Sequence, residues 1–402
     1  MFPSILRLLA LVLVAATAVA QPTTIRVATY NILKYPNSDS TQRNAALRTV
    51  VGAMRPHVIV AQEVESRIGV ELFLNGVLDP VFDGRFESAP FVDVSTDTEG
   101  AFFYDSTAVS YLGMEVIRTE LRGIFGYRFA VNGTTDTIWI YTVHLKAQDG
   151  SEERVKRAQE AGHLRTHLDS ARAGGHVIVA GDFNVYNSSE PALAALMGEQ
   201  GNAAARLIDP LASVGDWHSN AEFAAIHTQS PRTTQFGGGV HGGLDDRFDL
   251  ILVSGSLSSV IDRATYTAFG NDGRHFNKAI NDGTNTAVSA DVAQALHDGS
   301  DHLPVFADFR FGFASIAADR AVGTLRVSPN PAADVVHFEI DGLGGAGMLT
   351  IRRVDGAVVA RLDVEPGARR VDWRCGDVAS GLYTYSLEAT NRRAAGTVVV
   401  VR

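Results

Sequence analysis

Acids, asparagines and histidines recur where apolar runs end: Thr29-Tyr30-Asn31, Gln62-Glu63-Val64, Val143-His144-Leu145, Gly181-Asp182-Phe183-Asn184 and Ser300-Asp301-His302-Leu303-Pro304-Val305. Short apolar runs of this kind read as strands, and strand ends bring side chains from distant parts of a chain to one rim. Oxygen donors and histidines on one rim suit metal-assisted phosphoester cleavage. That chemistry needs a cation against developing charge, a base to activate water, and donors for the equatorial oxygens. Glu63 is a hard oxygen ligand for Mg2+, Asp301 can share the ion, and Asn31 can bind or steady it from the neighbouring strand end. Mn2+ or Ca2+ would suit the same oxygens, and a Mg2+ ion would keep several waters.

His302 is the candidate base, because histidine alone titrates near neutral pH without a large shift. It needs a carboxylate to hold its tautomer, and Asp249, opening Asp249-Leu250-Ile251-Leu252, is the choice. Asp182 and Asn184 stand two apart on one turn, where they can orient water and a phosphate oxygen. His144 is left as a donor to the phosphate. Each residue alone has an ordinary reading: Asp182-Phe183-Asn184 as an Asx turn, Glu63 as a strand terminus, either histidine as a surface or structural group. Those readings must be invoked separately, whereas one site accounts for all the segments.

The elements that must position these residues alternate between strands and helices. Residues 24–30 and 58–61 read as strands, separated by a helix over 41–54 that Arg55-Pro56 breaks. Further strands are expected at 102–104, 108–111, 127–131 and 137–143, with Asn132-Gly133 as a hairpin signal. The clearest helix, 152–171, stops at Gly174-Gly175 and is followed by a strand over 176–180. A glycine-rich loop over 237–243 feeds a strand at 248–253. Residues 265–299 read as a long polar surface loop with a short helix at 289–296. In that loop Arg274, His275 and Lys278 offer positive charge to a polyanion, while Phe91, Phe102 and Phe103 read as core. Mixed strands with helices outside them imply an α/β sandwich of two sheets.

At 402 residues the chain has room for a large domain and a smaller one. A net charge of -10 argues against an electrostatically driven, nonspecific nucleic-acid binder, but a nuclease needs only local donors and a cation. Residues 1–20 read as a cleaved export signal: Arg7, an apolar core over 8–14, then Ala18-Val19-Ala20. The apolar run is too short to span a membrane. The single cysteine, Cys375, excludes an intrachain disulfide. Export without disulfides fits a bacterial envelope or secreted protein.

Taken together, these segments resemble the endonuclease/exonuclease/phosphatase superfamily, which includes the DNase I-like nucleases. Thr29-Tyr30-Asn31, Gln62-Glu63-Val64, Val143-His144-Leu145, Gly181-Asp182-Phe183-Asn184, Arg247-Phe248-Asp249 and Ser300-Asp301-His302-Leu303-Pro304-Val305 carry the likeness across about residues 24 to 311. The resemblance implies a four-layer αββα sandwich, with Asn31, Glu63, His144, Asp182, Asn184, Asp249, Asp301 and His302 in the roles above. Nucleases of this kind often carry an acid before a strand such as 101–104 that steadies the histidine corresponding to His144, and Glu99 lies near that place. Members of the superfamily cleave DNA, RNA or phospholipids, or remove phosphate from inositides and small molecules.

Composition changes near residue 315. A linker over 315–322 (its Ala-rich stretch at 317–321) precedes Ser328-Pro329-Asn330-Pro331, and residues 323–402 then alternate as short strands, enough for one seven-stranded sandwich. This tail resembles the C-terminal sorting domain of the type IX secretion system, through Ser328-Pro329-Asn330-Pro331-Ala332, Ala379-Ser380-Gly381-Leu382-Tyr383 and a terminal β-branched strand ending in Arg402. A carbohydrate- or protein-binding β-sandwich is the ordinary alternative. The expectation is a monomeric, metal-dependent phosphodiesterase, foremost an endonuclease on extracellular nucleic acid, exported through the periplasm of a Gram-negative bacterium to the surface or beyond. A phospholipid (sphingomyelinase-like) phosphodiesterase or phosphatase is the second reading, and a catalytically silent surface binding protein the third.

Overall fold

The computed structural model of the chain describes residues 23–37, 40–95, 97–312, 325–340, 346–353, 357–389 and 392–401. The export signal expected at 1–20 and the linker expected at 315–322 lie outside the described residues. Two compact units meet in sequence between Phe313 and Ala314.

The first unit contains β1 (Thr23–Tyr35), β2 (Val58–Val64), β3 (Phe86–Ser88), β4 (Glu99–Asp105), β5 (Val109–Ile117), β6 (Ile124–Val131), β7 (Thr137–His144), β8 (Val177–Asp182), β9 (Leu207–Ile208), β10 (Asp249–Ser254), β11 (Ile261–Ala268) and β12 (Val305–Phe311). They form two six-stranded sheets, ordered β11-β12-β1-β2-β4-β3 and β5-β6-β7-β8-β10-β9. Strand alternation sends neighbouring residues to opposite faces. Thus Ile25 and Val27 of β1 and Val58 and Val60 of β2 pack against Ile138 and Ile140 of β7, Ile178 and Ala180 of β8, and Ile251 and Val253 of β10. The residues between them, Ala28, Tyr30, Ile59 and Ala61, instead face Leu47, Val50, Val51 and Met54 of the helix Ser40–Met54 and Leu296 of the helix Ala290–Gly299. On the far side Val177, Val179, Leu250 and Leu252 meet Ala161, Leu164 and Leu168 of the helix Ser151–Ala171. Three apolar interfaces between four layers make the αββα sandwich that the sequence leads one to expect. Because each inner strand is covered on both faces, its residues run nearly continuously apolar. Phe102 and Phe103 are buried as expected, and Phe91 packs at the edge of the helix-side core.

The segment 265–299 is a surface stretch with a short helix, as expected, with two differences of extent. Residues 265–268 complete β11, and the helix runs from Ala290 to Gly299, with the Ser289 hydroxyl accepting from Val292 N at 3.4 Å. Between them the chain has no regular element and lies largely at the surface, with Arg274, Asn277, Lys278, Asp282, Thr284 and Thr286 exposed, but it is anchored from beneath. Ile280 is fully buried and His275 nearly so, its Nδ1 2.8 Å from Asp272 Oδ1. Asn285 Nδ2 donates to Gly270 O at 2.8 Å. Short polar side chains here bond to nearby backbone and to one another, which gives a polar surface loop a fixed path. His275 is therefore not presented to a polyanion.

Among the described residues, the second unit holds seven strands in a three-stranded and a four-stranded sheet. Val336, Phe338, Leu349, Ile351, Trp373, Tyr383 and Val398 make its single core, and Cys375 is buried there as a free thiol. Among the described residues of the whole chain, no helix is long and apolar enough to cross a membrane.

Candidate active site

The alternation that fills the middle of the sandwich also decides what caps it. Continuing along the inter-sheet face, β1 presents Thr29, β2 Gln62 and β7 Thr142. Thr29 Oγ1 donates to Gln62 Oε1 at 3.2 Å, and Gln62 Nε2 to Thr142 Oγ1 at 2.8 Å. One step further the same faces present Asn31, His144, Asp182 and Asp249. Asp182 is the strand partner of both His144 and Asp249, so the three stand side by side at one end of these inner strands. Glu63 breaks the alternation. Its φ of 61° lies in the left-handed region, and the pairing of β2 shifts register there with both neighbours. Such an irregularity re-aims a side chain, here toward Asn31.

Asn31 is the hub. Its Nδ2 lies 3.0 Å from Glu63 Oε1 and 3.2 Å from Asp182 Oδ2, while its Oδ1 accepts from Leu33 N at 3.0 Å. Glu63 Oε2 accepts from Lys34 N at 3.0 Å. Asp301 and His302 arrive on the turn between the helix Ala290–Gly299 and β12. Ser300 secures that turn by donating to Asn31 O at 2.6 Å and accepting from His302 N at 3.3 Å. Beneath, the buried Arg43 donates to the carbonyls of Gly299 (3.0 Å), Leu33 (2.8 Å) and Ile32.

His302 Nδ1 lies 2.8 Å from Asp249 Oδ2, the pairing expected of a base and the acid that orients it. Its Nε2 faces Asp182 Oδ2 at 3.7 Å. Burial opposes charging of His302, but the carboxylates of Asp249 and Asp182 outweigh it and hold the imidazole well above its ordinary value. Asp182 is pushed up to about 7, first by burial and then by the charges of Asp249 and Glu63. His144 is held well below its ordinary value by burial, by Arg122 and by His302, so it stands as a neutral imidazole. Its Nε2 is 3.6 Å from Asp182 Oδ2 and 3.9 Å from Glu63 Oε1. Asn184 curls back, its backbone N–H donating to Asp182 Oδ1 at 3.0 Å and its Nδ2 to Leu145 O at 3.1 Å.

Asp301 turns one oxygen to Val240 N at 2.6 Å, while its buried Oδ1 has no hydrogen-bond partner among the described residues. Glu63 is raised by burial and then by the charge of Asp301. Two acids that repel each other, one with an orphaned buried oxygen, fit a divalent cation, which would remove both costs. Glu63 and Asp301 do not join a third acid or histidine at full ligand-cage spacing. Among the described residues that spacing occurs at His218, Asp245 and Asp246, where His218 Nδ1 lies 2.8 Å from Asp246 Oδ1. A Mg2+ ion that keeps several waters needs no such cage.

All eight expected residues thus gather at one end of the sandwich. Glu99 does not join them. Its Oε1 accepts from Val94 N (2.8 Å) and Ser95 N (2.6 Å), and it makes no hydrogen bond to His144. Three participants have roles that the sequence alone did not assign: Arg43, Ser300 and Gln229, whose Nε2 is 2.6 Å from His302 Nε2.

No curated protein matches the chain. Among solved structures, it is similar to TDP2 of D. rerio complexed with single-strand DNA product, at 14% identity over 71% of this chain and 98% of that one, TM-score 0.48. It is also similar to the catalytic domain of human Nocturnin with bound sulfate anion, at 16% identity over 72% and 96%, TM-score 0.44. An endonuclease/exonuclease/phosphatase family protein from Bacteroides thetaiotaomicron matches at 15% identity over 73% and 100%, TM-score 0.46. The family model described as Endonuclease/Exonuclease/phosphatase family matches residues 28–302, a span that reaches from β1 to the proposed base. The chain belongs to that family, and it is a phosphoester hydrolase.

Proposed function

We propose that the protein is an exported, Mg2+-dependent phosphodiesterase that cleaves nucleic acid outside the cell, with His302 as base and Asp249 as the acid that orients it. The observation that carries the reading is the His302–Asp249 contact of 2.8 Å, with the other ring nitrogen 3.7 Å from Asp182 Oδ2. Glu63 and Asp301 would hold the cation, which would supply charge stabilisation to the phosphoryl oxygens when bound. Asp182 and Asn31 orient the attacking water, His302 Nε2 receives its proton, and neutral His144 donates to a phosphate oxygen. The exposed Lys34, whose N–H meets Glu63, adds positive charge on the rim for a polyanion. The export signal read at residues 1–20 and the all-β unit read as a type IX sorting label support action outside the cell.

A second reading has its own support. Phe236 and Val240 are 43% and 51% exposed on the glycine-rich loop that Val240 N fastens to Asp301. Apolar side chains there suit a phospholipid phosphodiesterase. A panel of single- and double-stranded DNA, RNA, sphingomyelin vesicles and a phosphomonoester, each with Mg2+ and with chelator, separates the two. Nucleic-acid cleavage that stops in chelator is expected. Turnover of sphingomyelin with intact DNA and RNA would overturn the nuclease reading, and no turnover of any member would point to a silent binding protein.

A further inference from the structure

The Nε2 atom of His302 is where a proton must arrive, and what surrounds it decides whether it can. Asp182 Oδ2 is 3.7 Å away and Asn31 Nδ2 3.4 Å. Nearest is Gln229 Nε2, at 2.6 Å and within a buried residue. A ring held only through Nδ1 by Asp249 can still swing about the bond to its Cβ. Held at both nitrogens, its plane is fixed. With Asp249 at Nδ1 and the Gln229 amide at Nε2, both ring nitrogens have a polar partner.

The backbone under Gln229 is tied to both ends of the base–acid pair. Gln229 bridges to His302 and to Asp246. Its carbonyl accepts from Asp245 N (2.9 Å) and Asp246 N (3.1 Å), and Leu303 N donates to Thr228 O at 2.7 Å. The Thr228 hydroxyl oxygen accepts from Phe248 N and Asp249 N, both at 3.2 Å. Thr228 and Gln229 therefore span the gap between the strand that brings Asp249 and the turn that brings His302. We infer that Gln229 is a positioning residue for the hydrolysis, fixing the ring plane of His302 from the Nε2 side so that this nitrogen stays turned toward the site.

The inference rests on the phosphodiesterase reading of the site but not on the identity of the natural substrate. Bis(p-nitrophenyl) phosphate with saturating Mg2+ and the full chain is therefore the assay. A wild-type protein that cleaves this diester but no nucleic acid would sink the nuclease reading and leave this one standing. Gln229→Leu keeps volume and removes the amide. It should lower kcat roughly tenfold while KM stays within about twofold. The same substitution made in a His302→Ala background should cost nothing further, because a residue that acts through the base has nothing left to act on. An equal loss in both backgrounds, or an unchanged kcat, would overturn the assignment. Gln229→Glu gives a second route should the leucine variant fold poorly. A carboxylate replaces the amide nitrogen that contacts Nε2, so kcat should fall at least as far as in Gln229→Leu, and wild-type turnover in Gln229→Glu would refute the positioning role.

Discussion

The guanidinium of Arg43 donates to the carbonyl of Gly299 at 3.0 Å, tying the helix Ser40–Met54 to the turn that carries Asp301 and His302. Its remaining nitrogens reach the carbonyls of Leu33 and Ile32, just past Asn31. One buried cation thus holds two stretches of backbone, 32–33 and 299, that frame the proposed cation site.

Arg43→Lys should destabilise the first unit by about 2–4 kcal/mol, because an ammonium cannot satisfy three carbonyls in a fork and leaves buried acceptors unpaired. Denaturant melts followed by tryptophan fluorescence check this. A midpoint equal to that of the wild type would show that the fork is not holding the turn.

Glu63→Gln preserves shape but removes a charged ligand. The Mg2+ concentration giving half-maximal activity should rise about 10–100-fold, with a parallel loss of the thermal stabilisation that added Mg2+ confers. Wild-type turnover undiminished in excess chelator would sink the cation assignment.

His302→Ala should reduce kcat by about 10²–10⁴-fold with the fold intact. Asp249→Asn should be milder, since it misorients the base rather than removing it. Steady-state kinetics on folded protein, verified by circular dichroism, decide the matter, and a wild-type rate in His302→Ala would refute the base.

Deleting residues 323–402 should leave specific activity nearly unchanged in protein made without its export route, because no member of the site lies beyond His302. In the native host the same deletion should leave the enzyme in the periplasm. A truncated protein that stays folded yet loses substrate affinity would make the tail a binding module instead.

Much of this was legible in the sequence, because strand alternation is a strong signal wherever a strand is packed on both faces. Asn31, His144 and Asp182 each follow an apolar run by a fixed parity, and Asp249 precedes one, so their types and positions sufficed to place them together. Glu63 was legible as a residue but not as a geometry, since alternation alone would turn it toward the helices and only its left-handed backbone brings it back. Gln229 was invisible: a glutamine in an irregular stretch has no periodicity, and its role arises from pairing with residues 245–246 and 302. The segment 265–299 was legible as a polar surface stretch with a short helix, but not the contacts that fix its path, His275 against Asp272 and Asn285 against Gly270.

The fixed parity has a practical corollary for how this scaffold tolerates length changes. Connections that leave the opposite end of the sandwich, such as Asn132-Gly133 between β6 and β7, can gain or lose residues without touching the chemistry. A single residue inserted within β1, β7, β8 or β10 would rotate every side chain beyond it to the other face. Asn31, His144 or Asp182 would then point into a helix interface while an apolar neighbour took its place among the acids. Insertion scanning should therefore draw a sharp map, permissive at one pole of the sandwich and abruptly silent along four strands.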